Sequence, residues 1–92
     1  MSQKKFNLDK YKMVCVKWQD AVDFETGWHS LKKIQNSKTE PVTSLGWLVK
    51  ETSKHIVLAS DFCSDGITGR AITIPKDWCA KITNLFEVSN EN

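Results

Sequence analysis

Alternation of apolar and polar positions with a period of two runs through most of the chain and predicts strands. In Tyr11–Val22, Val14, Val16 and Trp18 alternate with Met13, Cys15 and Lys17, and β-branched and aromatic residues favour a pleated backbone. Both faces are apolar where this segment begins, so it is expected to be an inner strand. Val42–Lys50 is the second strand. Leu45, Trp47 and Val49 share one of its faces; Ser44, Gly46 and Leu48 share the other. A glycine in mid-strand signals a bend, a bulge or a close backbone approach. The polar connection Glu51–Lys54 has hairpin length. It leads to a third strand, His55–Phe62, with Ile56, Leu58 and Phe62 on one face and Val57 and Ala59 on the other. Cys63–Gly66 turns the chain. Gly69–Ile74 is the fourth strand and Pro75 ends it, having no N–H to give to a ladder. Ile82–Val88 is the fifth.

Two segments break the alternation. Asp23–Lys38 contains Gly27, then Trp28 and His29, then Ser30 as a helix cap ahead of Leu31 and Ile34 three positions apart. One or two helical turns are expected there, within a long connection between the first two strands. Lys76–Ala80 is too short for a free helix and fits a single 3₁₀ or α turn. Residues 1–10 are polar and Lys-rich apart from Phe6 and are expected to form a flexible arm; residues 89–92 are expected to fray. One domain over residues 11–88 is the result.

Five short strands in so small a sheet leave long unpaired edges unless the sheet closes. A long first loop, three strands joined by short turns, a helical turn and a last strand predict an all-β, five-stranded SH3-like barrel. An OB-like barrel is the alternative, although it places its helix between the third and fourth strands. The expected core is Val16, Trp47, Leu58, Ile72 and Ile82, with Trp18 and Trp78 as half-buried lids on the barrel ends.

Composition narrows the partners. The chain has 92 residues, 40% of them apolar and 26% charged, ordinary for one globular domain. Its longest apolar runs are far too short to cross a bilayer as a helix. The opening Met1–Lys5 lacks the apolar stretch of a secretory signal, so a cytoplasmic location and no membrane partner are expected. Net charge is +2, and of 13 basic residues only Arg70 is arginine. That balance disfavours a nucleic-acid reader, because bidentate recognition of phosphates and bases relies on arginine.

Candidate chemistry is sparse. Cys15, Cys63 and Cys79 are odd in number and widely spaced, and His29 and His55 complete no ligand set, so reduced, metal-free cysteines and no cofactor are expected. The phosphate-binding glycine patterns, the nucleophile elbow and the zinc-protease motif do not occur. A chain this short offers no deep cleft and no matched nucleophile and base, so an enzyme is not expected. Asp61, Ser64 and Asp65 read first as a polar turn.

Trp18-Gln19-Asp20-Ala21, then Gly27-Trp28, then Val42-Thr43-Ser44-Leu45-Gly46, and Ile74-Pro75-Lys76-Asp77-Trp78 with Ile82 form a pattern. It resembles short uncharacterised proteins of tailed bacteriophages, over about Met13 to Leu85. The resemblance implies a small phage-encoded protein of the host cytoplasm. It carries over no activity and no functional residue.

Trp28 stands apart from the other tryptophans because no alternation demands an apolar group in its loop. If the barrel brings its first loop near the turn between the third and fourth strands, Trp28 and His29 meet Asp61, Asp65 and Arg70. These five are the candidate binding residues. Three functions fit them. The first is a non-catalytic module that binds a host enzyme or defence component, with an exposed aromatic anchor. The second is a homo-oligomer that sequesters a nucleotide signal, stacking a base on the indole and pairing a phosphate with Arg70. The third is a weak binder of single-stranded nucleic acid.

Overall fold

The computed structural model describes residues 6–85. Five strands form one antiparallel sheet: β1 (Lys12–Asp20), β2 (Glu40–Glu51), β3 (His55–Ala59), β4 (Ala71–Pro75) and β5 (Cys79–Asn84). Their spatial order is β4-β3-β2-β1-β5. β1 is an inner strand, as its two apolar faces imply. A short helix, α1 (Leu31–Gln35), lies in the long β1–β2 connection, capped by the Ser30 hydroxyl, which accepts from the Lys33 N–H at 3.1 Å. A 3₁₀ turn, Lys76–Trp78, separates β4 from β5 where a helical turn is expected. β5 begins three residues earlier than its sequence pattern predicts. Positions 86–88 of the predicted strand and the tail 89–92 lie outside the described residues.

The sheet does not close, which corrects the expected SH3-like barrel. β4 and β5 end the strand order and do not pair with each other. It is nevertheless curled. Pro75 ends β4 and Cys79 begins β5 on the opposite edge, and four residues span at most ~14 Å. The edges of a flat five-stranded sheet stand roughly 19 Å apart. The 3₁₀ turn crosses this gap. The Lys76 N–H donates to the Lys54 carbonyl at 2.8 Å and its ammonium pairs with Glu51 at 2.8 Å. On the other side, Trp78 stacks on Trp18 with ring centroids 6.3 Å apart. One three-residue turn thus holds the two edges near each other without a ladder between them.

The core lies on the concave face and is built from Val14, Val16, Trp18, Ile56, Leu58 and Ile74, with Val42, Leu48 and Cys79 packed against it. Register decides which face this is. Val14 pairs with Gly46, Val16 with Ser44 and Trp18 with Val42, so the small residues of β2 face inward. The Trp18 indole occupies the room they leave, is 6% exposed, and donates from Nε1 to the Ser44 hydroxyl at 3.0 Å. Trp18 is therefore core and not a lid. Trp47 is opposite Met13 on the convex face and is half-buried. Val16 and Leu58 are buried as expected. Ile72 and Ile82 are not: they remain 41% and 37% exposed. Each is register-matched to a buried residue, Leu58 and Val16 respectively, but each sits on an edge strand of an unclosed sheet.

Gly46 marks the close approach that a mid-strand glycine signals. A Cβ at this position would stand 2.8 Å from the Ala59 carbonyl oxygen and 3.3 Å from the Leu58 Cβ. Backbone would have to move. Gly46→Ala is expected to lower stability by about 1–3 kcal/mol, the usual cost of overpacking. Urea unfolding of the variant checks this, and an unchanged midpoint would show that β3 can shift freely.

A second apolar cluster covers the convex face. Phe62 meets Phe6 at 4.6 Å, Trp47 at 5.5 Å and Tyr11 at 6.2 Å between ring centroids. Phe6 belongs to the segment read as a flexible arm. The structure lays it, with the 3₁₀ turn Leu8–Lys10, over this cluster and against Gly66, whose φ of 92° suits only glycine comfortably.

Candidate functional site

The five candidate residues fall into two groups that the fold keeps apart. Trp28 and His29 sit on residues 21–39, which leave the sheet at Asp20 and return at Glu40, opposite one another. Asp61, Asp65 and Arg70 sit on the β3–β4 connection. β3 first pairs with β2 at Trp47, seven residues beyond Glu40, or roughly 23 Å along the strand. The β1–β2 hairpin therefore projects past the end of β3. Among the described residues no hydrogen bond, ion pair or ring contact joins the two groups.

On the β3–β4 connection the carboxylates are occupied by their own loop. Asp61 Oδ1 accepts from the Gly69 N–H at 2.7 Å and the Thr68 hydroxyl at 3.4 Å. Asp65 Oδ1 accepts from the Ile67 N–H at 3.2 Å. The Arg70 backbone extends the β3–β4 ladder, its carbonyl accepting from the Ser60 N–H at 2.9 Å. Short acidic side chains bonding two or more residues ahead are what turns of this kind require. Here the polar-turn reading describes what Asp61 and Asp65 do.

The arm formed by residues 21–39 has a different character. It is locally ordered. His29 Nε2 donates to the Glu25 carbonyl at 2.7 Å, and its ring meets Phe24 at 5.3 Å. Ser30 caps α1, and the Thr39 hydroxyl donates to Gln19 Oε1 at 3.0 Å across the base of the arm. His29 thus shapes the arm. Its order does not come from a core: Val22, Trp28, Leu31 and Ile34 are all exposed, Trp28 completely at 104%. Among the described residues none covers these four large apolar side chains, which is unusual for an ordered chain. Trp28 is thus not a structural plug among the described residues. Leu31 and Ile34 are legible in the sequence only as helical spacing, and Val22 only as the end of the first strand segment, which stops at Asp20.

Other reactive groups are dispersed. Cys15 lies on β1, Cys63 in the β3–β4 connection and Cys79 at the start of β5. Burial raises the Cys79 thiol above its ordinary pKa, against the opposing charge of Lys76, and its Sγ approaches the Pro75 carbonyl at 3.5 Å. Among the described residues no three histidine, cysteine or acidic side chains converge in a way that could hold a metal ion. No family model, curated protein or solved structure matches the chain.

Proposed function

We propose that the chain is a non-catalytic protein-interaction module, encoded by a phage and acting in the host cytoplasm on a host enzyme or defence component. The arm of residues 21–39 is its contact surface and Trp28 is its anchor. One observation carries the reading: the arm is ordered by its own hydrogen bonds while Trp28 is fully exposed. A pre-ordered loop binds with less entropic loss than a disordered one, and tryptophan is among the commonest hot-spot residues. The nucleotide-sequestering alternative needs the Trp28 indole and Arg70 to face one ligand; they lie on separate elements of the chain, so it requires a homo-oligomer that brings them together.

Trp28→Ala tests the proposal. Its melting temperature is expected to stay within a few degrees of wild type. Affinity for the partner, first isolated from host lysate on the wild-type chain and then titrated, is expected to fall by about 2 kcal/mol or more. A variant destabilised by roughly 3–5 kcal/mol would instead mark Trp28 as a structural plug. Unchanged affinity would remove the arm from the interface.

A further inference from the structure

We infer that Phe6 is a ligand held in cis: the segment Phe6–Lys10 is a latch that closes an aromatic-accepting site on the convex face, and the opened site accepts an aromatic side chain in place of Phe6. None of the residues involved belongs to the arm of residues 21–39, so the inference goes beyond the reading of that arm.

The seat is built for a ring. The Phe6 centroid lies 4.6 Å from that of Phe62 and 6.1 Å from that of Tyr11, separations typical of favourable aromatic pairs. A Cβ on residue 66 would stand 2.8 Å from Phe6 Cδ1 and 3.2 Å from its Cγ, so the ring occupies room that only the glycine leaves. The walls do not depend on the latch. Tyr11 leads into β1, Trp47 is on β2 and Phe62 follows β3, and Phe62 meets the other two rings at 6.2 and 5.5 Å.

The latch is fastened by that ring. Residues 7–10 are all exposed. The hydrogen bonds of the segment close on its own 3₁₀ turn: the Asp9 N–H donates to Asn7 Oδ1 at 3.0 Å, the Lys10 N–H to the Asn7 carbonyl at 3.3 Å and the Tyr11 N–H to the Leu8 carbonyl at 3.1 Å. Among the described residues no hydrogen bond or ion pair ties residues 6–10 to the sheet. A segment held by one side chain opens locally while the ladders stay intact.

The fit also leaves space. A recess of about 400 Å³ lies between the latch and the β3–β4 connection, lined by Phe6, Leu8, Phe62, Cys63 and Ser64. Its size is that of a small-ligand site, and release of Phe6 joins it to the seat.

Two measurements on the full chain test the latch. The first is chymotrypsin cleavage mapped by mass spectrometry, because the enzyme must draw the Phe6 ring out of its seat. The Phe6–Asn7 bond is expected to be cut at least about tenfold faster than Trp18–Gln19, which needs the sheet to open, and at least about tenfold slower than in a free peptide of residues 2–11. Cleavage no faster than at Trp18 makes Phe6 an integral part of the fold and overturns the latch. Cleavage as fast as in the peptide shows that nothing fastens it and overturns the latch equally. The second is titration of N-acetyl-phenylalanine amide, followed by the nuclear magnetic resonance signals of Gly66 and Phe62. Phe6→Ala is expected to keep its far-UV circular dichroism and to bind the probe at least about tenfold more tightly than wild type, in which the latch competes. N-acetyl-leucine amide is expected to bind the variant more weakly than the aromatic probe. A folded Phe6→Ala chain that ignores the probe, or binds it no better than wild type does, overturns the site. A Phe6→Ala chain that loses its circular dichroism overturns the latch.

Discussion

Trp18→Ala is expected to cost about 3–5 kcal/mol, as large as the whole stability of a small single-core domain. At 25 °C much of the variant should be unfolded in the absence of denaturant. The reason lies in how the core is filled. On β2 the concave face offers Ser44 and Gly46, which supply almost no volume. The Trp18 indole fills that space, touches the Trp78 ring on the turn that spans the two edges, and donates to Ser44. Removing it opens a cavity and also frees one side of the 3₁₀ turn. Trp18→Phe separates the two contributions. It keeps most of the apolar volume and loses the Nε1–H, and because Ser44 is partly exposed, water can replace the donor. The phenylalanine variant should therefore lose only about 1 kcal/mol beyond its packing loss. Urea unfolding followed by circular dichroism checks both. An alanine variant with a wild-type midpoint would show that the indole is a lid after all.

The same tryptophan shows where the sequence pattern is readable and where it is not. Alternation in β1 names Val14, Val16 and Trp18 as one face, and the structure buries all three. In β2 the alternation is equally clear, but apolarity points to the wrong face: Leu45, Trp47 and Val49 look like core beside Ser44, Gly46 and Leu48. What decides is register, because Gly46 is opposite Val14. Small residues face inward here since a neighbouring strand supplies the volume, and no single-strand pattern encodes that. Trp47 finds a separate apolar cluster with Phe6, Tyr11 and Phe62 on the convex side. The lone aromatic in a polar N-terminal segment is its one sequence signal.

Barrel closure was the other expectation to fail, and Ile72 and Ile82 failed with it. Strand count and loop order are compatible with closure, but closing needs β4 and β5 to pair, and these two edge strands run in the same direction and form no ladder, although the 3₁₀ turn carries the chain from one to the other. The candidate site divides along the same line. Trp28 is identifiable because a loop has no alternation to satisfy. Its grouping with Asp61, Asp65 and Arg70 depended on a barrel end that does not form, and on a hairpin no longer than the strands beside it.

Leu58→Ala is expected to destabilise the chain by about 2–5 kcal/mol, and the surroundings of Leu58 place it towards the lower half of that range. Leu58 is 2% exposed and pairs with Leu48 on one side and Ile72 on the other. The Leu48 side is rigid: β2 and β3 are in contact at Gly46, where the Ala59 carbonyl already lies as close as a glycine allows. The Ile72 side is not. Ile72 is on an edge strand, is 41% exposed, and can move inward to fill part of the cavity with apolar volume that was in water. Partial collapse lowers the cavity penalty, since the cost of a Leu→Ala change grows with the space left behind. The double variant Leu58→Ala with Ile72→Ala removes the filler. Its loss is expected to exceed the sum of the two single losses by about 0.5 kcal/mol or more, the coupling typical of residues in contact. Urea midpoints of the four proteins in the cycle measure that excess. Strict additivity would mean that β4 does not relax towards the core, and the open edge would then be as rigid as a closed one.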